Sequence, residues 1–360
     1  MNAARPRRVL LLCGGRSDEH DVSMASARSV LEAVDGALDV TPAVIDRSGR
    51  LLPAEASRRA LASTSASAPG DDPPRVPVAG ESPATAPENM AAALARLRDE
   101  GFDVVFPLLH GPYGEDGSVQ GLLRLLGVPF VGSDVLGSAV AMDKLMMKAV
   151  LAAHGFPQVG YGGLTRSAWG EDRHAGLASL AGLAWPRFVK PANLGSSIGI
   201  RRVETPAELA EAVDAAFAFD RRVIVEEGVV GARELEVAVL GNDAPQVSPV
   251  GEIRFQSSFY DYDTKYTDGR AELLIPAPVP GGVAGRARDL ARHAFTALDG
   301  AGLARVDFLY REASDELFLN EVNTIPGFTR HSMYPKLFRA AGIAYPELIG
   351  RLLDLACEPR

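Results

Sequence analysis

The chain has 360 residues, 47 % hydrophobic and 23 % charged, the composition of an ordinary globular protein with room for two or three domains. A net charge of −9 argues against non-specific nucleic-acid binding. The cysteines, Cys13 and Cys357, lie at opposite ends and fit a reducing cytoplasm better than a disulfide framework, and no apolar run reaches the ~18–20 residues of a transmembrane helix.

The start, MNAARPRRVLLLC, is basic then apolar, but the apolar part is too short for a signal peptide and reads as a first strand. Residues 8–13 form a buried parallel strand entering a Gly14-Gly15 turn, followed by a helix over 21–37 and a strand over 39–45. In CGGRSDEHDVS the third glycine of a dinucleotide fingerprint is missing, so that motif does not apply. Glu19 and Asp21 there suit helix capping as well as they suit binding a cation. Residues 62–89 are rich in Pro, Ser, Ala and Thr and predict an irregular surface segment. A strand over 102–111, carrying His110, and a helix over 117–127 complete a doubly wound α/β unit.

A second unit opens near residue 133 with a helix over 137–153, which carries Lys144. Strand 185–191 leads into ANLGSSIGI, then helix 206–219 and strand 221–227. Lys190 at the strand end, followed by small residues whose backbone N–H groups can turn outward, suits a phosphate-covering loop. It is not a Walker A loop, because the lysine precedes the glycines. Taken alone, Lys144 reads as a solvated surface lysine, and Glu226 and Glu234 as exposed hinge charges. The last unit is mostly strands, with helices over 284–299 and 335–355. Its FYDYDTKY segment (259–266) has the make-up of a lid over charged substrates, and equally of a surface loop with packed tyrosines.

The richest stretch is RVDFLYREASDELFLNEVNTIPGFTRHSMYP, beginning at Arg305. Period-two alternation places Arg305 with Asp307, and Glu321 with Asn323, on one face of two strands. A turn centred near Ser314 sets Asp307 opposite Glu321 and Arg305 opposite Asn323. Like charges directly opposite repel, and hard oxygen ligands so spaced suit Mg²⁺ bound with substrate phosphates. An ion-paired hairpin with an exposed charged face shows the same alternation.

Seven pieces, in order, carry a resemblance: GGRSDEHDVS, LHGPYGEDGSVQG, VPFVGSDVLGSAVAMDK, FVKPANLGSSIGI, FYDYDTKY, RVDF and NEVNTIPGFTRHSMYP. Together they resemble the D-alanine–D-alanine ligases of the ATP-grasp superfamily across nearly the whole chain except 50–90. The resemblance implies a three-domain α/β architecture, with a doubly wound N-terminal domain (1–132), a central domain (133–227) and a C-terminal domain (228–360). ATP would bind between the last two. It implies a cytoplasmic homodimer making D-alanyl-D-alanine for peptidoglycan through a D-alanyl phosphate, with no nucleic-acid or membrane partner. Asp307, Glu321 and Asn323 would hold two Mg²⁺ or Mn²⁺ ions. Lys144, Lys190 and Lys265 would contact phosphates, and Glu226 and Glu234 the adenosine, with Ser196, Ser197, Glu227 and Asn320 also in the ATP site. Glu19 would bind the ammonium of the first D-alanine and join Ser196 and Tyr266 in a hydrogen-bonded set. Arg305 and the Gly327 N–H would stabilise the tetrahedral oxyanion. Ser332 and the Met333 backbone would take the second carboxylate, and His110 would lie near the substrate, though a packed histidine fits equally. Tyr266 favours the dipeptide over a D-lactate depsipeptide. A non-catalytic nucleotide-binding module is opposed by the joint presence of Arg305, Asp307, Glu321, Asn323 and Ser332.

Overall fold

The computed structural model describes residues 7–34, 36, 38–63, 99–195, 198–255 and 271–359. The expected lid, with Lys265 and Tyr266, and the loop serines Ser196 and Ser197 lie outside them, as does most of the 62–89 segment.

Strands β1 (Arg8–Gly14), β2 (Asp39–Ile45) and β3 (Val104–Pro107) make a parallel sheet in the order β2-β1-β3. Their near-continuous apolar runs are buried on both faces, as parallel strands require. Helices α1 (His20–Ala33), α2 (Ala54–Ser63) and α3 (Ser118–Leu125) cover the sheet, Val30 on one side and Leu123 on the other. Because β2 and β3 flank β1 on opposite sides, the chain reverses direction across the sheet at β1. The crevice outside the carboxyl ends of β1 and β3 is where open α/β sheets bind ligands. Glu19 follows β1 and His110 follows β3 at that crevice.

The helix expected over 137–153 is two helices, α4 (Val135–Met142) and α5 (Lys144–Ala153). Asp143 divides them: its backbone is extended, and its carboxylate accepts from the N–H groups of Leu145 (3.1 Å) and Met146 (3.0 Å), capping α5. An antiparallel sheet of order β4-β7-β5-β6 follows, from β4 (Tyr161–Thr165), β5 (Arg187–Pro191), β6 (Arg201–Val203) and β7 (Arg222–Glu227). Helices α6 (Arg166–Glu171), α7 (Arg173–Ser179) and α8 (Pro206–Ala216) belong to this unit, and α8 begins with a Thr205/Glu208 capping box.

The largest sheet comprises β8 (Arg233–Gly241), β9 (Gln246–Val247), β10 (Gly251–Phe255), β11 (Ala271–Leu274), β12 (Gly302–Arg311) and β13 (Glu316–Asn323), in the order β11-β10-β8-β12-β13 with β9 on β8. Helix α9 (Gly281–Ala297) covers one face through Val283, Ala287, Ala291 and Ala294. The second C-terminal helix of the sequence reading is again a pair, α10 (Met333–Ala340) and α11 (Tyr345–Ala356), parted at Gly342, whose φ is +87°. Both pack with α1 and β3 in one core, so the end of the chain closes back on its beginning. Helix α5 works between the two antiparallel sheets. Met147 and Leu151 join the core of the large sheet, while Lys144 and Lys148, one turn apart on a neighbouring face, are also buried. Among the described residues no helix is long and apolar enough to cross a membrane.

Candidate active site

The β12–β13 ribbon has the expected pairing at its polar end: Arg305 opposite Asn323 and Asp307 opposite Glu321. A bulge makes it so. From Arg311/Glu316 to Phe308/Leu319 the partners run in simple register, then Asn320 is passed over and Asp307 meets Glu321. The extra residue switches the parity of β13, so Leu317, Leu319 and Val322 are all buried while Glu321 and Asn323 share the other face with Asp307 and Arg305.

Asp307 is tightly held. Arg305 donates to it through Nε and Nη2, both at 2.7 Å, and Asn323 Nδ2 donates at 3.0 Å. Across β8, Glu236 stands opposite Asp307 and lies 3.1 Å from Arg305 Nε. Glu236, Asp307 and Glu321 therefore form a row of three carboxylates on adjacent strands, with one guanidinium among them. Such a row, with the Asn323 carboxamide beside it, supplies hard oxygen donors of the kind divalent cations take, but among the described residues no three acidic or imidazole groups converge closely enough to hold one.

Lys190 approaches this face from β5. Burial alone would lower its pKa, but Glu226, Glu321 and Glu234 hold it above the usual lysine value. Its Nζ lies 2.6 Å from Glu226 Oε2. Burial should likewise raise Glu226, yet Lys148 and Lys190 draw it down to about 2. Lys144, far from solvated, is buried and donates to the Leu194 carbonyl in the loop that follows β5. The Glu227 carboxylate points elsewhere and accepts from Ala184 N–H at 2.8 Å.

Glu19 does not cap α1, although it occupies the cap position. A β-carbon on either Gly111 or Gly195 would come within 2.8 Å of Glu19 Oε2, so this buried carboxylate sits where the loop after β3 meets the loop after β5. Asp21 is exposed and pairs with Arg47 at 2.9 Å, as an ordinary surface charge does.

Two further groups anchor the 324–332 loop. His110 Nδ1 donates to the Ile325 carbonyl at 2.9 Å, and Glu115 Oε1 accepts from Ile325 N–H at 3.0 Å while its Oε2 accepts from Gly111 N–H at 2.8 Å. Burial, against the pull of Glu19, lowers the pKa of His110. Burial, reinforced by Glu19 and Glu321, lifts the Glu115 carboxyl to about 8. The loop is also tied to α1 by Phe328 N–H to Ser26 Oγ (3.2 Å) and Arg330 N–H to Ser29 Oγ (2.9 Å). These ties bring Gly327 against Ser332, whose Oγ would lie 3.3 Å from a β-carbon on Gly327. Ser332 opens α10, and the first N–H groups of that helix, Met333 included, make up the partial positive pole that suits a carboxylate. The Met333 side chain itself is buried against Gly251.

Sequence comparison agrees with this geometry. A family model described as D-ala D-ala ligase N-terminus matches residues 8–133, and one described as D-ala D-ala ligase C-terminus matches 150–354. The chain belongs to the D-alanine–D-alanine ligase family. A D-alanine–D-alanine ligase of Deinococcus radiodurans is 55 % identical over 356 residues, 98 % of this chain and 99 % of that one. Among solved structures, the VanG D-Ala:D-Ser ligase of Enterococcus faecalis matches with a TM-score of 0.79 at 32 % identity, covering 98 % of this chain and all of that one. The D-alanine–D-alanine ligase of Coxiella burnetii matches with a TM-score of 0.75 at 33 % identity, covering 98 % and 94 %. The fold is thus the ATP-grasp fold of these ligases.

Three residues packed into this cluster had no distinct signal in the sequence. Glu115 lies in a Gly/Asp-rich run that reads as a turn. Glu236 sits in an apolar strand, where only its alternation with Glu234 hints at a shared face. Lys148 reads as a surface lysine of a helix, yet it is among the most completely buried side chains.

Proposed function

We propose that this protein is an ATP-dependent ligase that joins two D-alanines into D-alanyl-D-alanine for peptidoglycan. The 55 % identity to a D-alanine–D-alanine ligase over the full chain carries the reading. The carboxylate of one D-alanine attacks the γ-phosphate of ATP, giving D-alanyl phosphate and ADP. The amine of the second then adds to the acyl carbon, and phosphate leaves from the tetrahedral intermediate.

The chain's own groups divide this work. Glu19 binds the ammonium of the first D-alanine at the meeting of two loops, and the family resemblance joins it with Ser196 and Tyr266 in one hydrogen-bonded set. Lys144, Lys190 and Lys265 neutralise the phosphates, Glu226 and Glu234 contact the adenosine, and Ser196, Ser197, Asn320 and the main chain of Glu227, whose carboxylate is held by the Ala184 N–H, complete the ATP site. Asp307, Glu321 and Asn323 would hold the two Mg²⁺ or Mn²⁺ ions that the family resemblance implies, and such ions would offset triphosphate charge. Arg305 and the Gly327 N–H donate to the oxyanion of the tetrahedral intermediate. Ser332 and the Met333 N–H hold the second carboxylate. His110 and Glu115 clamp both polar groups of the Ile325 peptide and so fix the loop that presents Gly327.

We extend the reading to domains at 1–132, 133–227 and 228–360, each containing one of the three sheets. A homodimer in the cytoplasm follows from the family resemblance, and the free Cys13 and Cys357 suit a reducing compartment. The deciding assay is phosphate release from Mg-ATP with D-alanine, L-alanine, D-serine or D-lactate as acceptor. Strong release with D-alanine alone is expected. Release that prefers D-serine or D-lactate in mixtures with D-alanine would reassign the acceptor.

A further inference from the structure

Glu236 is a buried carboxylate to which the ligase reading gives no task. It stands on β8 directly opposite Asp307 of β12, and like charges so placed repel. Its Oε2 lies 3.1 Å from Arg305 Nε. On its other side Glu236 faces Gly251 of β10, where α10 packs so closely that a β-carbon would lie 3.0 Å from both Met333 and Leu337. That flank is closed, and the Glu236 carboxylate meets the guanidinium between β8 and β12.

Arg305 is thus gripped from two strands. Asp307, on the same strand as Arg305, accepts from its Nε and Nη2, both at 2.7 Å, so each Asp307 oxygen is engaged. One of those oxygens also accepts from Asn323 Nδ2 at 3.0 Å. Asp307 has a competing demand as well, because the family resemblance assigns it to the cations. A guanidinium held by Asp307 alone would follow that carboxylate wherever it shifted. Glu236 comes from the strand between β10 and β12 and carries no such assignment, so its hold on Arg305 is independent of what Asp307 binds. An oxyanion donor is worth most when it needs no reorganisation as the charge develops.

We propose that Glu236 is a positioning residue that holds the Arg305 guanidinium at the oxyanion of the tetrahedral intermediate, whatever Asp307 binds. The proposal deepens the ligase reading and rests on it, since it takes Arg305 as a donor to that oxyanion. It places Glu236 behind Arg305, in contact with neither substrate nor cation.

The test is a double-mutant cycle on the full-length protein, read as phosphate release from Mg-ATP with D-alanine. Glu236→Leu should lower kcat at least about tenfold, short of the roughly 10²–10³-fold scale of losing an oxyanion donor outright, with KM for Mg-ATP and D-alanine within about threefold. Glu236→Gln, which keeps an acceptor oxygen for the guanidinium, should recover part of that loss. Because the effect runs through Arg305, adding Glu236→Leu to Arg305→Ala should cost no more than about a further twofold, whereas a merely structural role would lower kcat in both backgrounds alike. Mn²⁺ binding by Glu236→Leu, followed by electron paramagnetic resonance with a non-hydrolysable ATP analogue, should match wild type. A smaller loss of kcat, a full additional loss in the double variant, or a lost Mn²⁺ ion each overturns the proposal, the last by assigning Glu236 to the cations. Should Glu236→Leu fail to fold, Glu236→Gln takes its place in the cycle, with a kcat loss of at least about threefold expected and the same outcomes deciding. Arg305→Ala with an unaltered kcat would instead remove Arg305 from the oxyanion, and a wild-type protein that releases no phosphate would remove the ligase reading. Neither of those results involves a Glu236 variant.

Discussion

Asp307 faces Glu321 because β13 carries one residue more than β12 needs. In simple register with Asn320 kept, the partner of Asp307 would be Asn320 itself, Glu321 would fall to the buried side with Leu319, and Val322 would turn to the polar face. One bulge thus decides whether the ribbon presents two opposed carboxylates or one. Deleting Asn320 leaves Glu321 directly after Leu319, so simple register still sets it opposite Asp307. The deletion and Asn320→Ala, which keeps the bulge, should both retain the pairing and measurable activity. Loss of turnover in both variants, in a phosphate-release assay on folded protein, would assign the requirement to the Asn320 side chain and not to the pairing.

Asp307→Asn and Glu321→Gln each remove a charge from the carboxylate row while keeping its shape. Each should lower kcat by roughly 10³-fold or more, since several kcal/mol of charge stabilisation depend on the metal site. The Asp307→Asn protein should nonetheless fold, because Arg305 keeps Glu236 as a partner at 3.1 Å. Near-normal phosphate release from both variants would remove the metal assignment.

Arg305 donates two hydrogen bonds to Asp307 and is half-buried, so its guanidinium is fixed in place before substrate arrives. Arg305→Ala should lower kcat by about 10²–10³-fold, the scale of losing one oxyanion donor. An effect confined to KM would make Arg305 a binding group.

Glu115 and His110 give the nucleotide-free protein a pH signature. Glu115, at about 8 when folded against 4.5 for the ordinary group, holds in the native state a proton that the unfolded chain has lost across that window. Its contribution to stability is therefore full below about pH 4.5 and falls as pH rises to about 8. His110, lowered from 6.5, acts in the opposite sense, and its contribution is complete above 6.5 and lost as pH falls. Between 6.5 and about 8 only the Glu115 effect of the two remains. The unfolding free energy should decline over that interval by at most about 1.4 kcal/mol per pH unit, seen as a falling Tm, and Glu115→Gln should flatten the decline. An unchanged slope in the variant would contradict the assignment.

Tyr266→Phe should loosen discrimination against D-lactate as second substrate, because family members of the lactate type tend to carry Phe there. Competition between D-alanine and D-lactate for one pool of Mg-ATP reads this out. An unchanged ratio of dipeptide to depsipeptide would deprive Tyr266 of that role.

The ribbon pairing was legible in the sequence through a compensation. A turn centred at Ser314 gives the register seen at the polar end, but the real turn is centred half a residue earlier and the bulge restores the difference. Alternation shows which residues share a face and cannot show an added residue, since Asn320 and Glu321 are both polar. The merged helices 137–153 and 335–355 failed for a related reason. Asp143 fits a helical pattern by composition, and only its contacts to Leu145 and Met146 reveal a cap. Glu19, His110 and Ser332 were legible because their neighbours are glycines and turn residues that serve no core. Lys148 and Glu115 were not, since their burial depends on partners roughly 80 and 210 residues away in the sequence.

The measurement that bears most directly on the metal–nucleotide site is Mn²⁺ binding, followed by electron paramagnetic resonance in the presence of a non-hydrolysable ATP analogue. Wild type should bind two Mn²⁺ per chain when the analogue is present, and the Asp307→Asn/Glu321→Gln double variant should lose at least one of them. Equal stoichiometry and affinity in the two proteins would contradict the central claim that this ribbon gathers the cations at the phosphates.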